Sequence, residues 1–185
     1  LFVQMTADII TSIQDHEGRS EFWLFTLMLA RIQAWQDFMR RPRTGVLPPE
    51  SELGLAGELV VLEGLLDAGV APVRAVDAWQ GPSGSLQDFL TDLYGLEVKT
   101  TLSVNGFPAR VSSLEQLDGT QGRLVLLAAV RFCLQADGRT LPEIVASLRA
   151  RLADAPVAQS AMELQLLKGG YFDTVADEYV RRFDL

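Results

Sequence analysis

The four residues Leu96-Glu97-Val98-Lys99 set the tightest limit on how this chain folds. They read as a short apolar strand that carries one acid and one base. Side chains alternate faces along a strand, so Leu96, Val98 and Thr100 share one face while Glu97 and Lys99 share the other. Lysine usage makes the second face notable. Of the 16 basic residues only Lys99 and Lys168 are lysine, so ordinary surface charge in this chain is arginine. Lysine is a compact, titratable point charge, whereas arginine is a permanently charged fork. A lysine between Val98 and Thr100 therefore points to a task other than solvation.

The preceding segment extends the argument. Leu86 to Thr91 is a second strand candidate, and Asp92-Leu93-Tyr94-Gly95 supplies turn chemistry through Asp and Gly. A hairpin centred between Asp92 and Leu93 sets Asp88 across from Glu97. Like charges facing each other across a ladder destabilise it, so something cationic must lie between them. Lys99 is one candidate and a divalent metal is the other. Two carboxylates and a lysine on one face have the chemistry to hold Mg²⁺ and polarise a water. An ordinary same-face salt bridge between Glu97 and Lys99 is the bland alternative.

Asp88 followed by Glu97-x-Lys99 on an apolar strand resembles the core of the PD-(D/E)XK nuclease superfamily, which runs helix, strand, strand, strand, helix, strand. Upstream, Gly54-Leu55-Ala56-Gly57-Glu58-Leu59 resembles its first core helix with the extra acid. Downstream, Val111-Ser112-Ser113-Leu114-Glu115-Gln116-Leu117 resembles the start of its second. More narrowly, GLAGEL, QDF, LEVKTT and VSSLEQL are similar to a bacterial family of PD-(D/E)XK restriction-type proteins of phage-defence operons. The likeness covers roughly Leu53 to Leu134, and Gln87 stands where the superfamily usually has proline. It implies a restriction-endonuclease-like α/β core with a mixed central sheet flanked by helices. Asp88, Glu97, Glu58 and the Val98 carbonyl would be metal ligands for Mg²⁺ or Mn²⁺, and Lys99 would be catalytic with the acids. Gln116, Arg110 and Ser113 are lesser candidates for holding the DNA strand.

A chain of 185 residues with 48% hydrophobic and 22% charged residues is long enough to bury a full core. No apolar run reaches the roughly 18 residues of a membrane span. Cys133 is the sole cysteine, which excludes an intramolecular disulfide and suits a reducing cytoplasm. Net charge is −8. Because DNA affinity is largely phosphate neutralisation, a uniformly acidic domain binds duplex poorly. Arginines gathered on one face, or a protein partner from the same operon, would have to supply the contact.

In chain order, residues 1–46 read as a helical segment continuing an N-terminal part outside this sequence. Phe2, Met5, Ile9, Ile10 and Ile13 form one helical stripe, and Phe25, Leu29, Ile32, Trp35, Phe38 and Met39 form another. These aromatics suit packing better than base stacking. His16 has no metal-ligand spacing to anything and reads as a surface residue. Arg40-Arg41-Pro42-Arg43 suits a helix C-terminus. Residues 47–185 form the predicted nuclease-like domain. Pro48-Pro49 opens a helix ending at Gly69, in which Gly54 and Gly57 permit close approach to the sheet and Glu58 flanks the apolar stripe. Val73 to Trp79 is the expected first strand, and Gly81-Pro82-Ser83-Gly84 is a turn that lacks the Walker ending. Ser113-x-x-Gln116 has capping-box form. The run Leu124 to Leu134 is expected as a strand buried on both faces at the sheet centre. Thr140 opens a helix to about Leu152, a further helix spans Val157 to Lys168, and the tail is a short helix or edge strand.

The expectation is a Mg²⁺- or Mn²⁺-dependent endonuclease acting on double-stranded DNA, cytoplasmic and without a membrane role. Its alternative is the same fold kept as a catalytically silent structural or DNA-binding subunit.

Overall fold

Four helices in this chain open on a proline within their first two positions. Proline's fixed φ is already helical, and the amide it lacks has no intrahelical partner there. The computed structural model describes residues 2–14, 17–40, 46–83, 85–109 and 124–185. Helices α1 (Phe2–Gln14) and α2 (Glu21–Arg40) come first, then α3 (Pro49–Asp67) and α4 (Pro72–Ala78). A 3-10 turn at Gly81–Ser83 leads to β1 (Phe89–Leu90), β2 (Tyr94–Thr101) and β3 (Leu124–Arg131). The chain ends with β4 (Cys133–Arg139), α5 (Leu141–Arg151), α6 (Pro156–Gly169), a 3-10 stretch at Asp173–Glu178 and β5 (Phe183–Asp184).

The architecture is mixed α/β. Strands β1, β2 and β3 form one sheet in that order, β1 antiparallel and β3 parallel to β2. Strands β4 and β5 form a separate antiparallel pair. Helix α3 lies on the Val98 and Thr100 face of β2, and Gly57 sets how closely. A Cβ at Gly57 would stand 2.0 Å from the Thr100 methyl. Gly54 has no such role, since a Cβ there would meet nothing within 4 Å. The core joins Leu59 and Leu62 of α3 to Trp79, Val98, Phe132, Ile144 and Leu148 of α5, and Met162 of α6. Trp35 of α2 is buried against Phe172, with ring centroids 5.1 Å apart.

Three expectations from sequence need correction. Residues 73–79 are not a strand. Residues 73–78 lie in α4, with Pro72 in its first turn and Ala75, Val76 and Ala78 turned inward at helical spacing, and Trp79 after them is extended. Only an isolated bridge between Trp79 and Phe89 occupies the place of strand pairing. The second strand is shorter than Leu86 to Thr91, pairing only at Phe89 and Leu90. The Leu124 to Leu134 run is not one central strand. Among the described residues β3 is an edge, with Leu124, Leu126 and Leu127 exposed, and the chain bends at Phe132 into β4. An apolar run does not say how many neighbours its strand has.

Other readings hold. Thr140 caps α5 in a capping box with Glu143, and Gly170 ends α6 in the left-handed region at φ 83°. The tail supplies an edge strand, β5. On α2 the packing expectation holds at the buried Trp35 and fails at Phe25 and Leu29, which are exposed, as is Phe22. His16, Arg41 to Arg43, Arg110 and the helix start at Val111 to Leu117 lie outside the described residues.

Candidate active site

Alternation and turn chemistry place the hairpin where the sequence puts it. Phe89 pairs with Leu96 and Leu90 with Gly95, the register that sets Asp88 opposite Glu97. Asp88 stands one residue before β1, and its side chain works on the partner strand. Its Oδ2 accepts from the Val98 amide at 2.7 Å. Its backbone carbonyl accepts from the amides of Gln80 and Gly81, which ties the 3-10 turn to the hairpin. In an antiparallel ladder a residue's N–H and C=O point to the same side, so the Val98 carbonyl faces the Asp88 edge too.

Glu58 reaches the same place from the middle of α3. Its Oε2 accepts from the Trp79 indole Nε1 at 2.7 Å. A Cβ at Gly81 would lie 2.4 Å from Glu58 Oε2 and 2.9 Å from Asp88 Oδ1. Glycine at 81 therefore leaves open a small space that both carboxylates face. Any other residue would fill it.

The electrostatics show an uncompensated cluster. Burial is the largest influence on all three acids and raises each of them. Glu58 is pushed up to about 8, with Asp88 adding repulsion, the Trp79 bond opposing it and Glu97 adding a little more. Asp88 is raised despite the Val98 amide and the charge of Lys99. Glu97 is raised despite Lys99, and Asp88 repels it. Lys99 Nζ lies 2.6 Å from Glu97 Oε1 and its charge also reaches Asp88, while Glu58 has the Trp79 indole in place of a cation. Glu97 is 2% exposed, and its Oε2 is buried with no hydrogen-bond partner among the described residues. An orphaned carboxylate oxygen carries its full desolvation cost and calls for an ion or a water.

The donor set fits a divalent cation in a particular way. Among the described residues no three His, Cys, Asp or Glu side chains stand close enough to cage a metal by themselves. Mg²⁺ does not need that, being held by one or two carboxylates completed by water and substrate phosphate. The orphaned Glu97 Oε2, Asp88 Oδ1 at the open space over Gly81 and the Val98 carbonyl are donors of that kind. The fold thus gathers Glu58, Asp88, Glu97, Val98 and Lys99. Arg110, Ser113 and Gln116 lie outside the described residues. Reading from sequence missed Trp79 and Gly81. The clue to Gly81 was the turn Gly81-Pro82-Ser83-Gly84 next to Asp88. Nothing in the sequence signals that Trp79 reaches Glu58.

An acid–acid–lysine cluster on a hairpin beneath a helix that supplies a further acid defines a protein of the PD-(D/E)XK class. The chain belongs to the family described as "Putative PD-(D/E)XK family member, (DUF4420)", which it matches over residues 1–185. No curated protein and no solved structure matches it.

Proposed function

We propose that this chain is a divalent-metal-dependent DNA endonuclease domain that hydrolyses phosphodiester bonds in double-stranded DNA. The observation that carries the reading is the meeting of Asp88 and Glu97 at Lys99 with Glu58 beside them, and Glu97 Oε2 is buried without a partner among the described residues. Asp88, Glu97 and the Val98 carbonyl would hold Mg²⁺ or Mn²⁺, with Glu58 assisting directly or through water. When bound, the ion supplies Lewis-acid activation of water and of the phosphoryl oxygen. The chain's own residues do the rest. Trp79 and the Val98 amide fix the orientation of Glu58 and Asp88. Lys99 keeps two N–H donors beyond the one on Glu97, and these face the non-bridging oxygens where negative charge grows in the transition state. Burial keeps bulk water off Glu97, which strengthens these interactions.

The family resemblance suggests restriction or phage defence in the cytoplasm as the setting. A second reading, a catalytically silent subunit, draws on one observation. Arg139, Arg149, Arg151, Arg181 and Arg182 are each paired with carboxylates, so in a chain of charge −8 these five arginines are not free to meet duplex. A partner protein would then supply the DNA contact.

Cleavage of a supercoiled plasmid separates the two. Wild-type protein should nick or cut with Mg²⁺ or Mn²⁺ and stop with EDTA. Asp88→Asn, Glu97→Gln and Lys99→Ala should each lower the rate at least about a hundredfold. Undiminished cutting by a folded Lys99→Ala protein removes Lys99 from the mechanism.

A further inference from the structure

The chain's second lysine stands beside the same turn that floors the acid cluster. Helix α6 ends against the Gly81–Ser83 turn, where a Cβ at Gly169 would come 3.5 Å from the Pro82 side chain. Lys168 Nζ donates to Ser83 Oγ at 3.2 Å, and that hydroxyl donates onward to Gln165 Oε1 at 2.8 Å. The Gln165 amide donates to the Trp79 carbonyl at 2.8 Å, and the Trp79 indole donates to Glu58. Two hydrogen-bonded segments, joined through the covalent frame of Trp79, thus connect an exposed ammonium with an acid of the site. The turn that separates the two ends is short. Its Gly81 end faces Glu58 and Asp88, and two residues of chain span at most ~7 Å.

The state of Lys168 differs from that of the arginines around it. Those on β4, α5 and the tail are held by carboxylates. Among the described residues no carboxylate pairs with Lys168, and its ammonium has two more N–H groups to give. A cation at a helix C-terminus complements the helix dipole, yet this one donates across to another element. We propose that Lys168, positioned by Ser83, forms a phosphate contact for the DNA strand, holding a phosphate next to the one at the acid cluster. The proposal rests on the nuclease reading, and the two fail differently.

Fluorescence anisotropy of a labelled DNA duplex, titrated in EDTA so that no strand is cut and repeated at several salt concentrations, gives the test. Losing one phosphate contact lowers the slope of log affinity against log salt by about 0.9. Lys168→Gln should show that loss, and Lys168→Arg should restore most of the slope. Arg151→Gln changes net charge equally but removes a cation tied to Asp67, and should leave the slope unchanged. A merely structural Lys168 would shift the melting temperature and not the slope. Equal slopes for Lys168→Gln and Arg151→Gln overturn the contact, while Mn²⁺-dependent cutting lost in Glu97→Gln leaves the nuclease reading standing. Wild-type protein that neither binds nor cuts DNA overturns both.

Discussion

A proton held on Glu58 at neutral pH follows from its burial beside Asp88 and Glu97, and it ties stability to pH. The carboxyl titrates at about 8 in the folded chain against an ordinary 4.5. The folded state therefore keeps a proton that the unfolded chain has already lost, and stability falls as pH rises from about 4.5 to about 8. Below that window both states are protonated and the difference vanishes. Glu58→Gln should flatten the decline by an amount on the order of a few kcal/mol. Urea denaturation of metal-free wild type and variant at pH 5 and pH 8 measures it. A variant that loses as much stability as wild type over that range would show that Glu58 is ionised at pH 7. The raised Asp88 and Glu97 have the same sign and remain in the variant, so some decline persists.

At the scale of elements, the site depends on how closely α3 lies on β2, and two glycines one turn apart separate contact from composition. Gly57→Ala would drive a methyl into Thr100. It should cost roughly 1–3 kcal/mol through overpacking, more than alanine's helix preference returns. Gly54→Ala meets open space and should instead stabilise by up to about 1 kcal/mol. Chemical denaturation of both variants checks the pair, and equal effects would mean that α3 does not press on the strand there. Sequence reading foresaw a close approach at both glycines, because spacing cannot tell which face of a helix meets a sheet. The hairpin was legible, since period-two alternation and a turn at Asp92-Leu93 fix a register without knowledge of the rest of the fold, although Tyr94 and Gly95, read as turn, belong to β2. Residues 73–79 were not. Val, Ala and Trp suit strand and helix alike, and here Pro72 and the inward spacing of Ala75, Val76 and Ala78 decide for a helix. The leucines of β3 were misplaced because exposure at an edge depends on neighbours that a local run does not name.

At the scale of the whole molecule, five arginines of the C-terminal half staple the fold. Arg149 joins Glu163 of α6 to Asp173 in the tail, and Arg139 of β4 holds the buried Glu63 of α3 with Ser147. Arg181 reaches Glu52 at the start of α3. Glu63 is buried but Arg139 is half-exposed and Ser147 still donates to the acid, so Arg139→Met should destabilise by about 1–3 kcal/mol, whereas Arg151→Gln at the exposed Asp67 should cost no more than ~1 kcal/mol. Among the described residues Glu97 Oε2 is buried without a partner, as is Glu52 Oε1; what sets the acids around Lys99 apart is that Asp88 repels both Glu97 and Glu58 there.

The claim that this cluster is a divalent-cation site is tested by metal-linked stability, without DNA or a partner protein. Thermal melts would be recorded for wild type and Glu97→Gln, each in EDTA and in Mn²⁺. At a hundred times its dissociation constant the ion should stabilise wild type by about 2.7 kcal/mol. For a chain of this size that amounts to a rise of roughly 5–11 °C. Glu97→Gln should lose most of the rise, and its metal-free form should be as stable as wild type or more so, because a repelling charge has been removed. No response of wild type to Mn²⁺, together with a less stable Glu97→Gln in EDTA, would contradict the claim and reduce Glu97 and Lys99 to a structural salt bridge.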